Sequence, residues 1–268
     1  MRVGGRSLVM GILNLTPDSF SDGGVLASPD AAAARAGEMT AAGADWLDVG
    51  GESTRPGAAP ISEAEELRRV VPAIAAIRGN RSAPISVDTI KPAVARAAVA
   101  AGATMWNDVS ALRSPGALEA AANLRCEVVL MHMPGTPATM QDDPRYEDVV
   151  TEVVGFLQSR ADAAIKAGVA TGRIWLDPGL GFGKTPAHNL ALLRALDRIA
   201  AIGFPVVVGA SRKGLIRALD PSARETSDRL GGSLALALIA ARAGAAMVRV
   251  HDVRETVQAL RVAAAVHG

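Results

Sequence analysis

Residues 174–184 read Ile-Trp-Leu-Asp-Pro-Gly-Leu-Gly-Phe-Gly-Lys: a short apolar run that stops at Asp177 and opens into a glycine-rich turn. A run of this length bounded by Gly and Pro reads as a strand. Working outward, the same arrangement occurs in seven other places: LVMGILNL (8–15) ending near Asn14, WLDVGGEST (46–54), PISVDT (84–89) at Asp88, MWNDVS (105–110) at Asn107, EVVLMHM (127–133), PVVVGASRK (205–213) at Lys213, and MVRVHD (247–252) at Arg249 and His251. Ala-rich stretches of helical character separate them, so strand and helix alternate eight times. That order predicts an α/β fold, a single-domain (β/α)8 or TIM barrel, whose active site collects at the C-terminal ends of the strands.

Start and stop signals delimit the helices. Ser28-Pro29-Asp30 precedes AAAARAGEMTAAG, with Pro29 suited to a first helical position and Gly43 as a stop. Ser62 followed by Glu65 predicts a capping box ahead of a helix ending near Gly79. Lys91-Pro92 opens AVARAAVAAG, which stops at Gly102, and helices over 146–168 and 187–203 supply the fifth and sixth crossovers. Helices over 224–244 and 254–266 enclose the eighth strand, and a short extra helix, GLIRAL, follows Lys213, as is common in phosphate-binding barrels. Three connections are long: DSFSDGG, GESTRPGAAP and PGTPATMQDDPRY, after the first, second and fifth strands. Long loops on the functional face often act as lids. DSFSDGG predicts one, with Asp18, Ser19, Phe20 and Asp22 leading to a Gly23-Gly24 hinge.

The 268 residues fit one barrel domain over 1–268, in eight units of roughly 33 residues each. Hydrophobic residues make up 49% and charged residues 21%, which supports a sizeable core and excludes disorder. With 28 Lys plus Arg against 27 Asp plus Glu, there is no general electrostatic reason to bind nucleic acid or a membrane surface, so any anion site is local. No apolar run reaches transmembrane length, and the N-terminal run meets Thr16 and Pro17 too soon for a secretory signal. Cys126 is the only cysteine, which excludes an intrachain disulfide and a Cys-ligated metal; a reducing cytoplasm is the expected home.

Ser211-Arg212-Lys213 and Arg249-Val250-His251 end strands 7 and 8, where barrels often bind phosphate. Arg249 and His251 are two apart on one strand and share a face, which reads as a phosphate or pyrophosphate clamp. An ion pair with Asp252 is the alternative that spacing alone leaves open. Asp88, Asn107 and Asp177 end strands 3, 4 and 6 and would face the mouth, where a carboxylate can take two N–H donors of a guanidine-like ring edge. Singly, each Asp reads as a cap of the next helix; three polar residues in one ring favour a pterin or purine-type ligand.

PGLGFGKT misses a phosphate-binding P-loop by one residue, Pro178 standing where glycine is required. Its glycines are expected to let the backbone approach a flat ligand, with Phe182 beside it. His132 has no second His or carboxylate at ligand spacing and reads as a core or rim residue rather than a zinc ligand, and His188 and His267 read as surface residues. Thr54 and Arg55 could reach an anionic second substrate; the alternative is a turn and a solvated charge.

Taken together, MGILNLTPDSFSDGG, DVGGESTRPGA, ISVDT, NDVS, LMHMPGTPATMQ, LDPGLGFGK, GASRK and VRVHDV resemble the dihydropteroate synthase family, in family order from about Met10 to about Val253. The resemblance implies a transferase that joins 7,8-dihydropterin-6-ylmethyl diphosphate to 4-aminobenzoate and releases pyrophosphate. It places the pterin on Asp88, Asn107, Asp177 and Lys213, and the diphosphate on Asn14, Arg249 and His251. A magnesium ion (Mg2+) is implied at Asn14 and the diphosphate, and Thr54, Arg55, Phe182 and Ser211 border the aminobenzoate pocket. Lys213, Arg249 and His251 take the catalytic part. A homodimer and competition by sulfonamides are also implied.

The chain departs from the family pattern at Gly214, where Ser or Arg is common, and at Leu215, often aromatic or Met; Ala111-Leu112 replaces a common Gly-Gly, and Trp106 precedes Asn107. Gly214 and Leu215 keep open a non-catalytic pterin-binding homologue. The pterin domain of a corrinoid-dependent methyltransferase shares barrel and pterin site, but has no need of DSFSDGG or of the RVHD clamp.

Overall fold

The computed structural model describes residues 5–16, 28–54, 57–80 and 83–267. Arg55 and the expected lid residues Asp18, Ser19, Phe20 and Asp22 lie outside them. Strands and helices alternate as β1 (Leu8–Asn14), α1 (Pro29–Ala41), β2 (Trp46–Gly50), α2 (Glu63–Asn80), β3 (Ile85–Asp88), α3 (Pro92–Ala100), β4 (Met105–Asp108), α4 (Ala117–Leu124), β5 (Glu127–Met131), α5 (Val149–Lys166), β6 (Ile174–Asp177), α6 (Pro186–Arg194), α7 (Leu196–Ala200), β7 (Val207–Val208), α8 (Gly214–Leu219), α9 (Leu230–Arg242), β8 (Met247–Val250) and α10 (Val253–His267). All ladders are parallel, in the order β6-β5-β4-β3-β2-β1-β8-β7, and a bridge between Leu176 and Val206 links β6 to the segment entering β7. The ring is the predicted (β/α)8 barrel.

Two-residue alternation along the strands places the site. Leu8, Met10, Trp46, Met105, Val129, Trp175, Val207 and Met247 form one apolar cluster that fills the barrel interior. Two positions further on, the same inward face carries Asp48 after Trp46, Asn107 after Met105, Asp177 after Trp175 and Arg249 after Met247. The opposite strand faces, with Val9, Leu47, Val87, Val128, Leu176 and Val248, pack in the larger cluster that holds the helices. Apolar residues therefore plug the lower barrel, and polar residues crown it.

Capping chemistry sets the helix ends. Ser28 accepts from the Ala31 N–H at 3.2 Å, with Pro29 leading α1 as expected. Only half of the box expected at Ser62 forms: its hydroxyl accepts from the Glu65 N–H, but the Glu65 carboxylate turns to Arg68 and Arg69. A full capping box forms instead at Thr185 and His188. Three predicted boundaries move. Asp148 caps α5 and starts it at Val149 rather than 146, the 187–203 helix breaks at Ala195 into α6 and α7, and α9 begins at Leu230, after a 3-10 turn over Ser227–Arg229 whose Arg229 donates to the carbonyls of Arg212, Ala223 and Arg224.

After β4 the chain turns through two left-handed residues, Ala111 (φ 54°) and Leu112 (φ 57°), at the positions where the family pattern has glycines. Such residues are strained unless their surroundings fix them. Asp108 does so: one carboxylate oxygen accepts from the Ser110 N–H and hydroxyl, each at 2.7 Å, and the other from the Leu112 N–H at 2.8 Å. Arg160 donates to the carbonyls of Ala111 and Leu112 from the other side. Asp108→Asn replaces one acceptor with a donor facing an N–H. Denaturant titration should therefore show a loss of roughly 1–3 kcal/mol, whereas an unchanged midpoint would mean the carboxylate does not hold the turn.

Candidate active site

A cleft of about 1180 Å³ opens above the crown and is lined by Asn14, Thr54, Asp88, Phe182, Ser211, Lys213, Arg249 and His251, together with Gly214 and Leu215. Asn107 and Asp177, 5% and 6% exposed, lie on the inward faces of β4 and β6, behind the residues that line it. The structure thus gathers the described site residues read from the sequence at one end of one barrel.

Arg249 organises the floor. Its Nε donates to Asp48 Oδ2 at 2.6 Å and its Nη2 to Asp88 Oδ2 at 2.8 Å, while Asn107 Nδ2 donates to the same Asp48 oxygen at 3.2 Å. Asp48 is fully buried on β2 and is absent from the sequence-derived site; its signal is a lone carboxylate on the inward face of an apolar strand. Asp252, the alternative partner of Arg249, binds Arg212 instead, at 2.6 and 3.1 Å. The strand ends at Val250, and the turn that follows directs Asp252 to Arg212 rather than to Arg249.

Burial dominates the electrostatics. It raises Asp88 to about 7 against the pull of Arg249, with Asp48 adding repulsion. Burial also lowers Lys213 to about 8, helped by Arg249 and opposed by Asp177 and Asp88. Asp177 is raised by burial and pulled back by the Gly179 N–H, which donates to Oδ1 at 2.7 Å, and by Lys213. Burial disfavours the charge on Arg249 as well, but Asp48 and Asp88 outweigh it and raise its pKa. Among the described residues, Asp48 Oδ1, Asp88 Oδ1 and Ser86 Oγ are buried without a hydrogen-bond partner. Orphaned buried acceptors of this kind are costly unless a ligand or water satisfies them, and these suit the N–H donors of a polar ring.

The rim is built for an anion. Ser211 Oγ accepts the His251 main-chain N–H at 3.3 Å and lies 3.0 Å from His251 Nδ1. With the hydroxyl as donor to Nδ1, the ring proton sits on Nε2. Burial, with Arg212 and Arg249 close by, lowers the imidazole to about 3, so the ring is neutral and donates from Nε2. Ser211, expected at the aminobenzoate pocket, lines the cleft and stands against His251. Lys213 Nζ stands 4.1 Å from the Phe182 ring centroid.

The glycines after β6 have a different cause from the one expected. A Cβ on Gly179 would lie 1.9 Å from the His132 carbonyl, and one on Gly183 2.2 Å from Pro134; only at Gly181 is the neighbour a site residue, Lys213 at 3.1 Å. All three have positive φ. Two of them let the β5 and β6 loops pack together rather than admit a ligand. Tyr146 Oη, donating to the Gly183 carbonyl at 2.8 Å, and Gln141 Nε2, donating to that of Gly181 at 2.9 Å, complete that junction. The loop carrying Thr54 is anchored at its root, where Glu52 accepts from the Ile61 N–H and pairs with Lys91 at 2.8 Å, itself 2.6 Å from Glu66.

Among the described residues no group of three or more His, Cys, Asp or Glu is arranged to hold a metal. A magnesium ion that arrives with a diphosphate needs few protein ligands, because phosphate oxygens and waters fill its octahedron. The residues fit that mode. A Cβ on Gly50 would stand 3.7 Å from Asn14 Oδ1 and 3.8 Å from Asp88 Oδ2, so the missing side chain leaves a gap between two hard oxygen donors.

A barrel with a polar, donor-seeking floor and a cationic rim has the makings of a pterin site, and the profile of the pterin binding enzymes matches residues 10–251. Dihydropteroate synthase of Escherichia coli K12 is 51% identical over 95% of this chain and 89% of its own length. The Xanthomonas albilineans dihydropteroate synthase structure with 4-aminobenzoic acid superposes with a TM-score of 0.92 at 53% identity, covering 98% of this chain and 94% of that one. A structure of that enzyme in complex with 7,8-dihydropteroate gives 0.88 at 50% identity, with the same coverage. The chain belongs to the pterin-binding enzymes and, within them, to the dihydropteroate synthase family.

Removing Arg249 leaves two buried carboxylates facing each other. Arg249→Ala should cost roughly 3–5 kcal/mol of stability, and adding Asp48→Asn should recover part of it. Thermal melts of the single and double variants check this; a double variant no more stable than Arg249→Ala would show that the Asp48 charge is not what the guanidinium compensates.

Proposed function

We propose that this chain condenses 7,8-dihydropterin-6-ylmethyl diphosphate with 4-aminobenzoate, giving 7,8-dihydropteroate and pyrophosphate. The observation that carries the reading is one cleft that joins Asp88, whose buried Oδ1 has no hydrogen-bond partner, to Arg249, His251 and Lys213. A pterin has ring N–H and amino donors at one end and, in this substrate, a diphosphate at the other.

In this reading Asp88, Asn107 and Asp177 hold the pterin ring, with Lys213 over its edge. The bond from the pterin methylene to the diphosphate oxygen breaks, leaving a cation delocalised into the ring, and the aryl amine attacks that carbon and sheds a proton. No strong base is needed. The protein's part is to stabilise the leaving charge and align the two rings. Arg249 and the Nε2–H of neutral His251 meet the departing pyrophosphate, and Lys213, with its lowered pKa, remains a donor near neutrality. Magnesium, when bound with the diphosphate, would neutralise part of the leaving charge, and Asn14 would hold it. Thr54, Arg55 and Phe182 would border the aminobenzoate, beside Gly214 and Leu215.

The corrinoid-linked alternative transfers a methyl group and releases no pyrophosphate, so the His251–Ser211 pair would serve nothing in it. No helix among the described residues is long and apolar enough to cross a membrane, and a lone buried thiol suits a reducing cytoplasm. The homodimer implied by the family is part of this proposal.

Incubation with both substrates should yield dihydropteroate and pyrophosphate by mass spectrometry, and neither from the pterin alone. Pyrophosphate release without the conjugate would overturn the reading. Ser211→Ala should weaken inorganic pyrophosphate binding roughly threefold to tenfold and add nothing in a His251→Ala background. Equal losses in both backgrounds, by calorimetry, would mean that Ser211 does not act through the imidazole.

A further inference from the structure

The P-loop-like segment leaves one group unused by this chemistry: the ammonium of Lys184. The side chain is buried at the edge of the cleft, the residue being 4% exposed. Its Nζ donates to the carbonyl of Phe182 at 2.8 Å, the carbonyl of Gly179 at 2.9 Å and Nδ1 of His132 at 2.9 Å, with the His132 carbonyl at 3.3 Å. Three protons thus meet three close acceptors, which is the full capacity of an ammonium. No carboxylate touches it. An ammonium caged only by dipoles is expensive; burial lowers its pKa to about 7 against the pull of Asp177, so its place in the fold calls for a return elsewhere.

That return is visible on both sides of the cage. The Gly179 carbonyl takes the lysine proton, and the Gly179 N–H donates to Asp177 Oδ1 at 2.7 Å, so one residue relays the cage to the floor carboxylate and leaves Asp177 Oδ2 turned toward Gly209 and the cleft. The Phe182 carbonyl is held by the same ammonium, while the Phe182 ring lies against Lys213 at the rim. His132, after the end of β5, closes the cage, and a Cβ at Gly179 would stand 1.9 Å from its carbonyl, so only glycine lets the loop pack against it. By contrast, no hydrogen bond joins Lys184 to Asn14, Arg249 or His251 among the described residues.

We propose that Lys184 is a positioning residue that sets, through one buried amine, both the floor carboxylate Asp177 and the rim aromatic Phe182. The inference rests on the reading of the cleft as a pterin and aminobenzoate site. It explains why a lysine ends the β6 turn in a segment that binds no nucleotide.

Lys184→Met keeps the length of the side chain and removes the charge. Well below its melting temperature, the variant should bind 6-hydroxymethyl-7,8-dihydropterin at least tenfold more weakly and show a raised KM for 4-aminobenzoate, with inorganic pyrophosphate affinity unchanged. In an Asp177→Asn background the same change should cost less than threefold in pterin affinity, because the relay already ends in an altered group. His132→Ala, which removes one acceptor and leaves the lysine, should show the same pattern at smaller size even if the methionine variant does not fold. A lowered melting temperature with unchanged affinities in the folded protein, or pterin losses that multiply independently with those of Asp177→Asn, would overturn the proposal. A wild-type protein that binds no pterin would overturn the parent reading, a result distinct from either.

Discussion

Everything at the mouth of this barrel depends on how one guanidinium is held. Arg249 reaches from β8 across the barrel interior to Asp48 on β2 and Asp88 on β3, at 2.6 and 2.8 Å. Two buried carboxylates on neighbouring strands would repel each other strongly, and a buried charge without a partner costs several kcal/mol. The arginine removes that cost and orients itself in doing so, because two of its nitrogens are fixed by two different strands. The grip also leaves Asp48 Oδ1 and Asp88 Oδ1 unsatisfied, which makes the floor a preorganised acceptor surface rather than a closed ion-pair network.

Burial then shifts Asp88, Lys213 and His251 toward their neutral forms. A carboxylate raised to about 7, a lysine lowered to about 8 and an imidazole lowered to about 3 are all shifted first by desolvation. At neutral pH the imidazole is therefore a neutral donor whose proton location Ser211 dictates, and the fixed positive charge at the rim comes from Arg249 with Lys213. An anion arriving at such a rim meets one permanent charge and one oriented neutral donor, an arrangement that stabilises charge developing on a leaving group.

Much of this was legible in the chain. The alternation of apolar runs with capped helices placed the eight strands, and polar residues at the run ends fell in one ring because strands of a parallel barrel present their ends to one side. Asp48 was not legible as a site residue, because it lies inside a run rather than at its end, and its function depends on a partner 201 positions away. The pairing of Asp252 was not legible, because it lies beyond the end of β8 and its partner Arg212 is 40 positions away. The glycines at 179 and 183 announced a special backbone, yet only the packed loops show that Pro134 and the His132 carbonyl are the cause. Lys184 was legible as a near miss to a phosphate loop, and its carbonyl cage belongs wholly to tertiary structure. Helix starts slipped where Asp148 and Arg229 bound backbone groups that no periodicity reveals.

The central claim is that a single cleft reads the pterin with its floor and the diphosphate with its rim. A crystal structure of the protein with the pterin diphosphate and magnesium tests it most directly. The account predicts the ring N–H and amino groups on Asp88 and Asp177, with the diphosphate against Arg249, the His251 Nε2 and Asn14. A diphosphate seated away from these three, with the Asp48 and Asp88 oxygens still unpartnered, would contradict it.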